Sequence, residues 1–515
     1  MMRRKPRLAF SFQALEIIGL VLLLLSTSVF AQRHETFAER PSKRAEAVQR
    51  ARERAERERE EAREWAKARG VGMRHDDGRR VMELMAIRNG RPIYYTTEND
   101  DAAMSTAADL VRNTSPYNVS GSGMAVGIWD AGLVYSAHRE FGSRVTYEEA
   151  GESVHYHATH VGGTIGAAGI TARAEGMAPD VEIHSYYWDS DDGEMAFAGA
   201  SYPGEAGKIY LSNHSYGTSS GWSDYTDGDG NDGWHWPSGL SWTPSAEERF
   251  FGQYNSTASY WDGSVYDAPY YLPFKSAGND RNDDPAQGTT VYRYTGGSWV
   301  GVTYNPSAHP KGDGEYKSGF DTIPTYGNAK NIMTVGAIDD AENGSTRKIT
   351  APYAAMSSFS GWGPTDDGRI KPDIVANGIS LYSCDDDHIA DYASRSGTSM
   401  SSPNACGSAA LLVGYYDDRF PGDAMRASTL KGLIIHTADD LGRPGPDYSY
   451  GWGLMNTLAA AELIKDYADG NPLRMTEALL DSTTNQSDSV TLFSGGVEPV
   501  RVSLCLTDPP GDSTT

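Results

Sequence analysis

Four polar residues stand where a side chain could do covalent chemistry. Asp130 comes directly after the apolar run 124–129 and is followed by Ala131-Gly132. Open α/β sheets gather ligands and catalytic groups at the carboxyl ends of their strands, although a carboxylate there also serves as a cap or turn former. His157 opens His157-Ala158-Thr159-His160-Val161-Gly162-Gly163-Thr164, whose small residues suit a closely packed helix. A neutral imidazole in its first turn could accept a proton. His155, His157 and His160 also cluster as metal ligands would, but without a His-Glu-x-x-His pattern. Ser399 lies in Gly397-Thr398-Ser399-Met400-Ser401-Ser402-Pro403, with Pro403 expected in a helix's opening turn. A serine there is a plain N-cap or a nucleophile, since the helix head favours the charge of an acyl-transfer oxyanion. Asn279, in Ser276-Ala277-Gly278-Asn279, offers a second oxyanion donor or a turn.

Elements able to position these groups are legible around them. The near-continuous apolar runs 124–129, 332–338 and 372–376 suit strands buried on both faces. Small-residue helical stretches at 157–168 and 399–415 alternate with them. That alternation predicts an α/β fold, a mostly parallel central sheet with helices on both faces. Residues 218–268, rich in Trp, Tyr, Gly and Asp, read as an insertion, and 489–507 as strand-like.

Taken together the motifs resemble those of the subtilase (subtilisin-like serine protease) family. They occur in order as Trp129-Asp130-Ala131-Gly132, His157-Ala158-Thr159-His160-Val161, Ser276-Ala277-Gly278-Asn279 and Gly397-Thr398-Ser399-Met400. Gly176-Met177-Ala178-Pro179, Gly368-Arg369-Ile370-Lys371-Pro372-Asp373-Ile374 and Gly451-Trp452-Gly453 are further matches, so the likeness covers roughly 95–465. The order Asp, His, Ser differs from the Ser, acid, His order of α/β-hydrolases. Ala131 replaces a usual Ser or Thr, and Ala158 a usual Gly.

This resemblance implies a serine endopeptidase with Asp130, His157 and Ser399 as its triad, and Asn279 with the Ser399 N–H as its oxyanion hole. It implies peptide binding along Ser215, Tyr216 and Gly217 on one side and Ser276, Ala277 and Gly278 on the other. The expected primary pocket is open and uncharged, giving broad specificity, and a histidine base predicts a neutral-to-alkaline optimum. The alternatives are a catalytically degenerate scaffold or an esterase or ligase using the same triad. No cofactor is expected for catalysis. Subtilases commonly bind structural calcium, and Asp227, Asp229 and Asn231 in Asp227-Gly228-Asp229-Gly230-Asn231-Asp232 have oxygen ligands at alternate positions.

The remaining sequence sets the context. Arg3, Arg4, Lys5 and Arg7, the apolar run 17–25 and the small-residue exit at Ala31 read as a signal peptide over 1–31, hence a secreted protein. Residues 32–94 form a charged helical leader or propeptide, with almost no apolar stripe. The peptidase domain is expected over 95–468, and the start of a β-rich domain, incomplete, over 475–515. Residues 1–113 carry 22 Lys/Arg against 17 Asp/Glu, leaving 23 against 52 beyond. Such acidity disfavours nucleic acid or an anionic membrane as partner, and a monomer acting on protein or peptide is expected. Three cysteines cannot make a disulfide framework; a Cys384–Cys406 bridge is one option, a buried thiol at Cys406 the other.

Overall fold

The computed structural model describes residues 40–512 apart from 77–80, 89–90, 98–102, 237–240, 247, 316, 343–345, 472–473 and 479–499. The signal-peptide reading over 1–31 therefore lies outside the described residues, as does most of the strand-like stretch 489–507. Nearly all described residues belong to one unit, comprising 44–477 with 492–515.

The chain opens with helix α1 (Arg40–Arg69) and a meander of β1 (Arg74–Asp76), β2 (Val81–Arg88) and β3 (Arg91–Thr97). There follow β4 (Ala125–Asp130), β5 (Val145–Tyr147), α2 (Tyr156–Gly166), β6 (Glu182–Tyr187), α3 (Asp191–Ala198), β7 (Leu211–His214) and β8 (Tyr216–Thr218). Next come β9 (Ser223–Thr226), β10 (Asp232–Trp236), α4 (Ser256–Asp267), β11 (Leu272–Ser276), β12 (Thr290–Thr295), β13 (Ser298–Thr303), β14 (Met333–Ile338) and β15 (Ile374–Asn377). The hairpin β16 (Leu381–Cys384) and β17 (Tyr392–Arg395) precedes α5 (Thr398–Arg419), α6 (Ala427–Thr437) and α7 (Thr457–Ala468).

Seven strands form the central sheet in the order β15-β14-β11-β7-β4-β6-β5, every pair parallel. β4 shows why the run 124–129 has no polar alternation. Its Val126 and Ile128 join a core with Val161 and Ile165 of α2 and Leu411 of α5, while Trp129 faces the opposite way. There Trp129 stacks on Tyr186 at 4.0 Å between ring centres, in an aromatic core shared with Trp261 of α4. A strand buried on both faces reads as continuous apolar sequence. Helices α2 and α5 meet at Gly407, where a Cβ would lie 2.7 Å from Met177 Cβ and 3.2 Å from Ile165 Cα. The expected α/β architecture is the one observed.

Residues 223–236 do not stand alone: β9 and β10 join β12 and β13 in a four-stranded sheet around Trp222, Trp236, Val291 and Tyr304. Residues in α4, later in the 218–268 stretch read as an insertion, pack into the main aromatic core instead. The described tail residues 500–512 form no strand and are tied by Asn331 Nδ2 to the Asp508 carbonyl at 2.7 Å and by Ser259 Oγ to that of Gly511. All three cysteines are free, so the bridge is not made; burial pushes the Cys384 and Cys406 thiols well up.

The charged leader packs against the strands that follow it. Ala62 and Ala66 of α1 bury against Leu84 and Ile87 of β2, with Trp65 alongside. Antiparallel β1, β2 and β3 extend this unit, and β3 continues the ladder onto β8.

Candidate active site

Asp130 ends β4, beside the position where the strand order turns back on itself, and is wholly buried. Its Oδ1 accepts the Ala131 N–H at 2.7 Å, which fixes the carboxylate plane. His157 occupies the first turn of α2, whose N-cap His155 accepts the His157 N–H through Nδ1 at 3.2 Å. The His157 Nδ1 lies 2.7 and 2.8 Å from the two Asp130 oxygens. That contact makes Nδ1 the protonated nitrogen and Nε2 the acceptor nitrogen.

Ser399 sits in the first turn of α5 and is 1% exposed. Pro403 is not in the opening turn, as expected from sequence, but in the second, so the Ser399 carbonyl loses its helical donor. Ser215 replaces it, its Oγ donating to that carbonyl at 2.8 Å, while Ser399 Oγ donates to the Ser215 carbonyl at 3.1 Å. The hydroxyl is thus anchored to the loop between β7 and β8.

Asn279 lies beside the same helix head. Its Oδ1 accepts the Thr398 N–H at 2.9 Å, so the amide's Nδ2 is the end left to donate. Gly278, at φ +92°, turns the chain there, and its N–H donates to Thr398 Oγ1 at 3.1 Å. The structure thus brings Asp130, His157, Ser399 and Asn279 from four elements to one place.

The expected substrate residues divide. Tyr216, Gly217, Ser276 and Gly278 line one pocket; Ser215 is spent on Ser399, and Ala277 is buried behind the wall. The pocket is not uncharged, because Lys275 and Asp280 also line it. Beneath it runs a buried chain that motif reading missed: Tyr216 OH donates to Asp191 Oδ2 at 2.8 Å and lies 2.9 Å from His214 Nδ1. Burial, then the Lys275 charge, drives the His214 imidazole well below its ordinary range.

Two other carboxylates border the site. Glu194 of α3 accepts Trp129 Nε1 at 2.9 Å. Burial and the charge of Glu149 push Glu194 up to about 9, and burial pushes Glu149 up to about 7.

The predicted metal residues fare otherwise. Asp227 Oδ1 accepts the Asp229 and Asn231 N–H groups at 2.9 Å each, and Oδ2 accepts Asn231 Nδ2 at 2.8 Å. Burial alone would raise this carboxyl, but hydrogen bonds from His235, Asn231 and the Asp229 backbone hold it at about 2. These are turn-forming bonds, and Asn231 turns an N–H rather than an oxygen inward, so Asp227, Asp229 and Asn231 do not fit a calcium cage. His155, His157 and His160 also diverge: His160 Nε2 faces the Leu381 carbonyl at 3.1 Å, away from Asp130. Among the described residues no group of three His, Cys, Asp or Glu is placed to hold a metal.

A doubly covered parallel sheet, an Asp–His pair at the end of a central strand and a serine at a facing helix head define the class of serine-dependent hydrolases. The subtilase family model matches residues 121–453, and the chain belongs to that family. It is similar to serine protease AprX of Bacillus subtilis (strain 168), 31% identical over 147 residues, covering 26% of this chain and 30% of that protein. It is also 44% identical over 96 residues to C5a peptidase of Streptococcus pyogenes, covering 18% of this chain and 8% of that one. The chain thus spans less than a third of these curated relatives. Among solved structures, the Clostridium perfringens CspB protease has a TM-score of 0.47 and 16% identity, covering 71% of this chain and 98% of that one.

Proposed function

We propose that this protein is an exported serine endopeptidase, made with its leader seated on the substrate strand. The observation that carries the chemistry is the clamp of both Asp130 oxygens on His157 Nδ1, beside a serine at the head of α5. Ser399 Oγ attacks the scissile carbonyl and His157 Nε2 takes its proton, then returns it to the leaving amine. Asp130 holds the tautomer and stabilises the imidazolium. The Asn279 Nδ2 and the Ser399 N–H receive the oxyanion. Because the base must be neutral, activity falls on acidification, and the optimum is neutral to alkaline.

The leader supports the zymogen reading. β3 pairs antiparallel with β8, Thr97 opposite Tyr216, Thr96 opposite Gly217 and Tyr95 opposite Thr218, which is the way an extended peptide adds to a sheet edge. Arg54 bonds Asp192 and lies 3.5 Å over the Tyr260 ring, and Arg59 reaches Asp189 at 3.7 Å. A basic leader on an acidic body accounts for the split in charge along the sequence. Away from the primary pocket, ladder pairing asks little of side chains, so specificity there is broad.

The chain acts as a monomer on protein or peptide, outside the cell after loss of residues 1–31. No helix among the described residues is long and apolar enough to cross a membrane. No step needs calcium, and an ion at Asp227 would have to displace three N–H donors; unchanged melting in a chelator checks this. The test of the reading is turnover of casein against a simple ester by the purified protein. Ester turnover without casein cleavage would exclude an endopeptidase.

A further inference from the structure

The leader touches the body at a second face, away from the substrate strand. Across β9, β10, β12 and β13, Gly233 stands opposite Tyr225, His235 opposite both Ser223 and Tyr292, and Tyr294 opposite Trp299. Side chains alternate along a strand, so Tyr225, His235, Tyr292, Tyr294 and Trp299 share one face of this sheet. Trp236 and Val291 fall on the other, where they join Trp222 and Tyr304 in the sheet's own core. The aromatic face is therefore not needed to close that core. Its rings already brace one another: His235 stacks on Tyr225 and on Tyr292 at 4.1 and 4.8 Å between ring centres, and Trp299 is set across it at 4.7 Å.

The C-terminal end of α1 covers this face. Trp65 lies 6.3 Å from Tyr294 between ring centres, Arg69 stacks over Trp65 at 4.3 Å, and Arg69 Nε donates to the Gly297 carbonyl at 3.4 Å. Four residues apart, Trp65 and Arg69 are neighbours on one side of the helix. Between leader and sheet there remains a cavity of ≈ 250 Å³, lined by Trp65, Arg69 and Arg74 of the leader and by Tyr294, Asp227 and Asp229 of the body. Protein interiors leave few voids larger than a water, so this is a docked surface rather than a shared core. The body contributes carboxylates to the lining and the leader arginines, so the body's side favours a cation. Arg74 also donates to the carbonyl of Ala131, the residue after Asp130, which puts the cavity within one side chain of the catalytic strand.

Resting on the endopeptidase reading above, we propose that this aromatic face is a second substrate-binding surface, filled by the leader until the leader is released. Its partner is a helical segment of a protein substrate that carries an aromatic residue and an arginine four positions apart. The segment lies upstream of the bond to be cut, as α1 lies upstream of β3. Leader loss uncovers Tyr294 and Trp299, and rings braced on a sheet offer a stacking surface at little ordering cost. The arginine adds a cation–π contact and meets the acidic rim. The face takes no part in bond breaking; it holds the substrate at high local concentration beside the cleft.

The test uses the purified protein after leader release, blocked with a fluorophosphonate, and a fluorescent peptide of residues 53–76 followed by anisotropy. The peptide should bind, and Trp65→Ala with Arg69→Ala in it should weaken binding by about tenfold or more. Trp299→Ala in the protein should weaken the unaltered peptide similarly; should that variant misfold, the two peptides on the wild-type protein still decide. In the unblocked protein, casein fused behind residues 53–76 should show a KM lower by the same factor than casein fused behind the doubly altered segment, with kcat unchanged. Equal binding of the two peptides, with labelling and casein cleavage intact, overturns the surface and leaves the endopeptidase reading standing. A face that binds a β-glucan hexasaccharide and neither peptide belongs to a glycan, and the polypeptide partner falls. Casein cleavage by a protein that still carries residues 40–76 overturns it too, because the face is then never open. A protein that neither labels nor cleaves removes both readings.

Discussion

At the scale of single residues, each member of the site is held by a partner that does a defined job. Asn279 is aimed by the Thr398 N–H, so Asn279→Ala removes one oxyanion donor and its aim. The expected loss is ~10²–10³ in kcat, measured by steady-state peptide hydrolysis, with KM little changed. Glu194 gives a pH test. Its carboxyl, raised to about 9, keeps its proton when folded and releases it near 4.5 when unfolded. The folded state thus binds more protons in that window, and stability falls as pH rises from 4.5 to 9. Glu194→Gln should therefore raise the melting temperature more at pH 9 than at pH 5, because it keeps a bond acceptor for Trp129 and has no charge to bury. The triad and Asn279 were legible only together: each alone also reads as a cap, a turn or a metal ligand, and it is their order and flanks that point to one chemistry. Lys275 was also visible, as the one charge in the apolar strand Leu272-Pro273-Phe274-Lys275-Ser276, but nothing in sequence says which side of β11 faces the pocket.

At the scale of elements, the parallel sheet was readable because strands such as β4 and β14 are buried on both faces and lose their alternation. The leader's packing was not. Its α1 buries only Ala62, Ala66 and Arg59 among the residues whose side chains are described, and two alanines leave no stripe that a periodicity argument would detect. Pairing of β3 with β8 joins residues some 120 apart and leaves no local signal. The pairing predicts that a leader peptide spanning 40–97, added in trans, inhibits the mature protein. Thr96→Pro removes a backbone N–H from that ladder, and its inhibition constant should be at least about tenfold weaker by competition assay. Equal inhibition by both peptides would mean that the leader holds on through α1 alone.

At the scale of the whole molecule, the division of charge is the organising feature. A leader rich in arginine covers a body rich in carboxylates, so their attachment should weaken as salt rises. Raising ionic strength from 0.05 to 0.5 M is expected to speed leader release, followed by gel electrophoresis. The claim on which all of this depends is that Ser399 is a nucleophile activated by His157. It is tested most directly by fluorophosphonate labelling of the purified protein, with the modified peptide located by mass spectrometry. The account predicts one adduct, on Ser399, absent from Ser399→Ala, which should also retain its leader uncut. An adduct elsewhere, or a Ser399→Ala protein that still matures and cleaves casein, would contradict it.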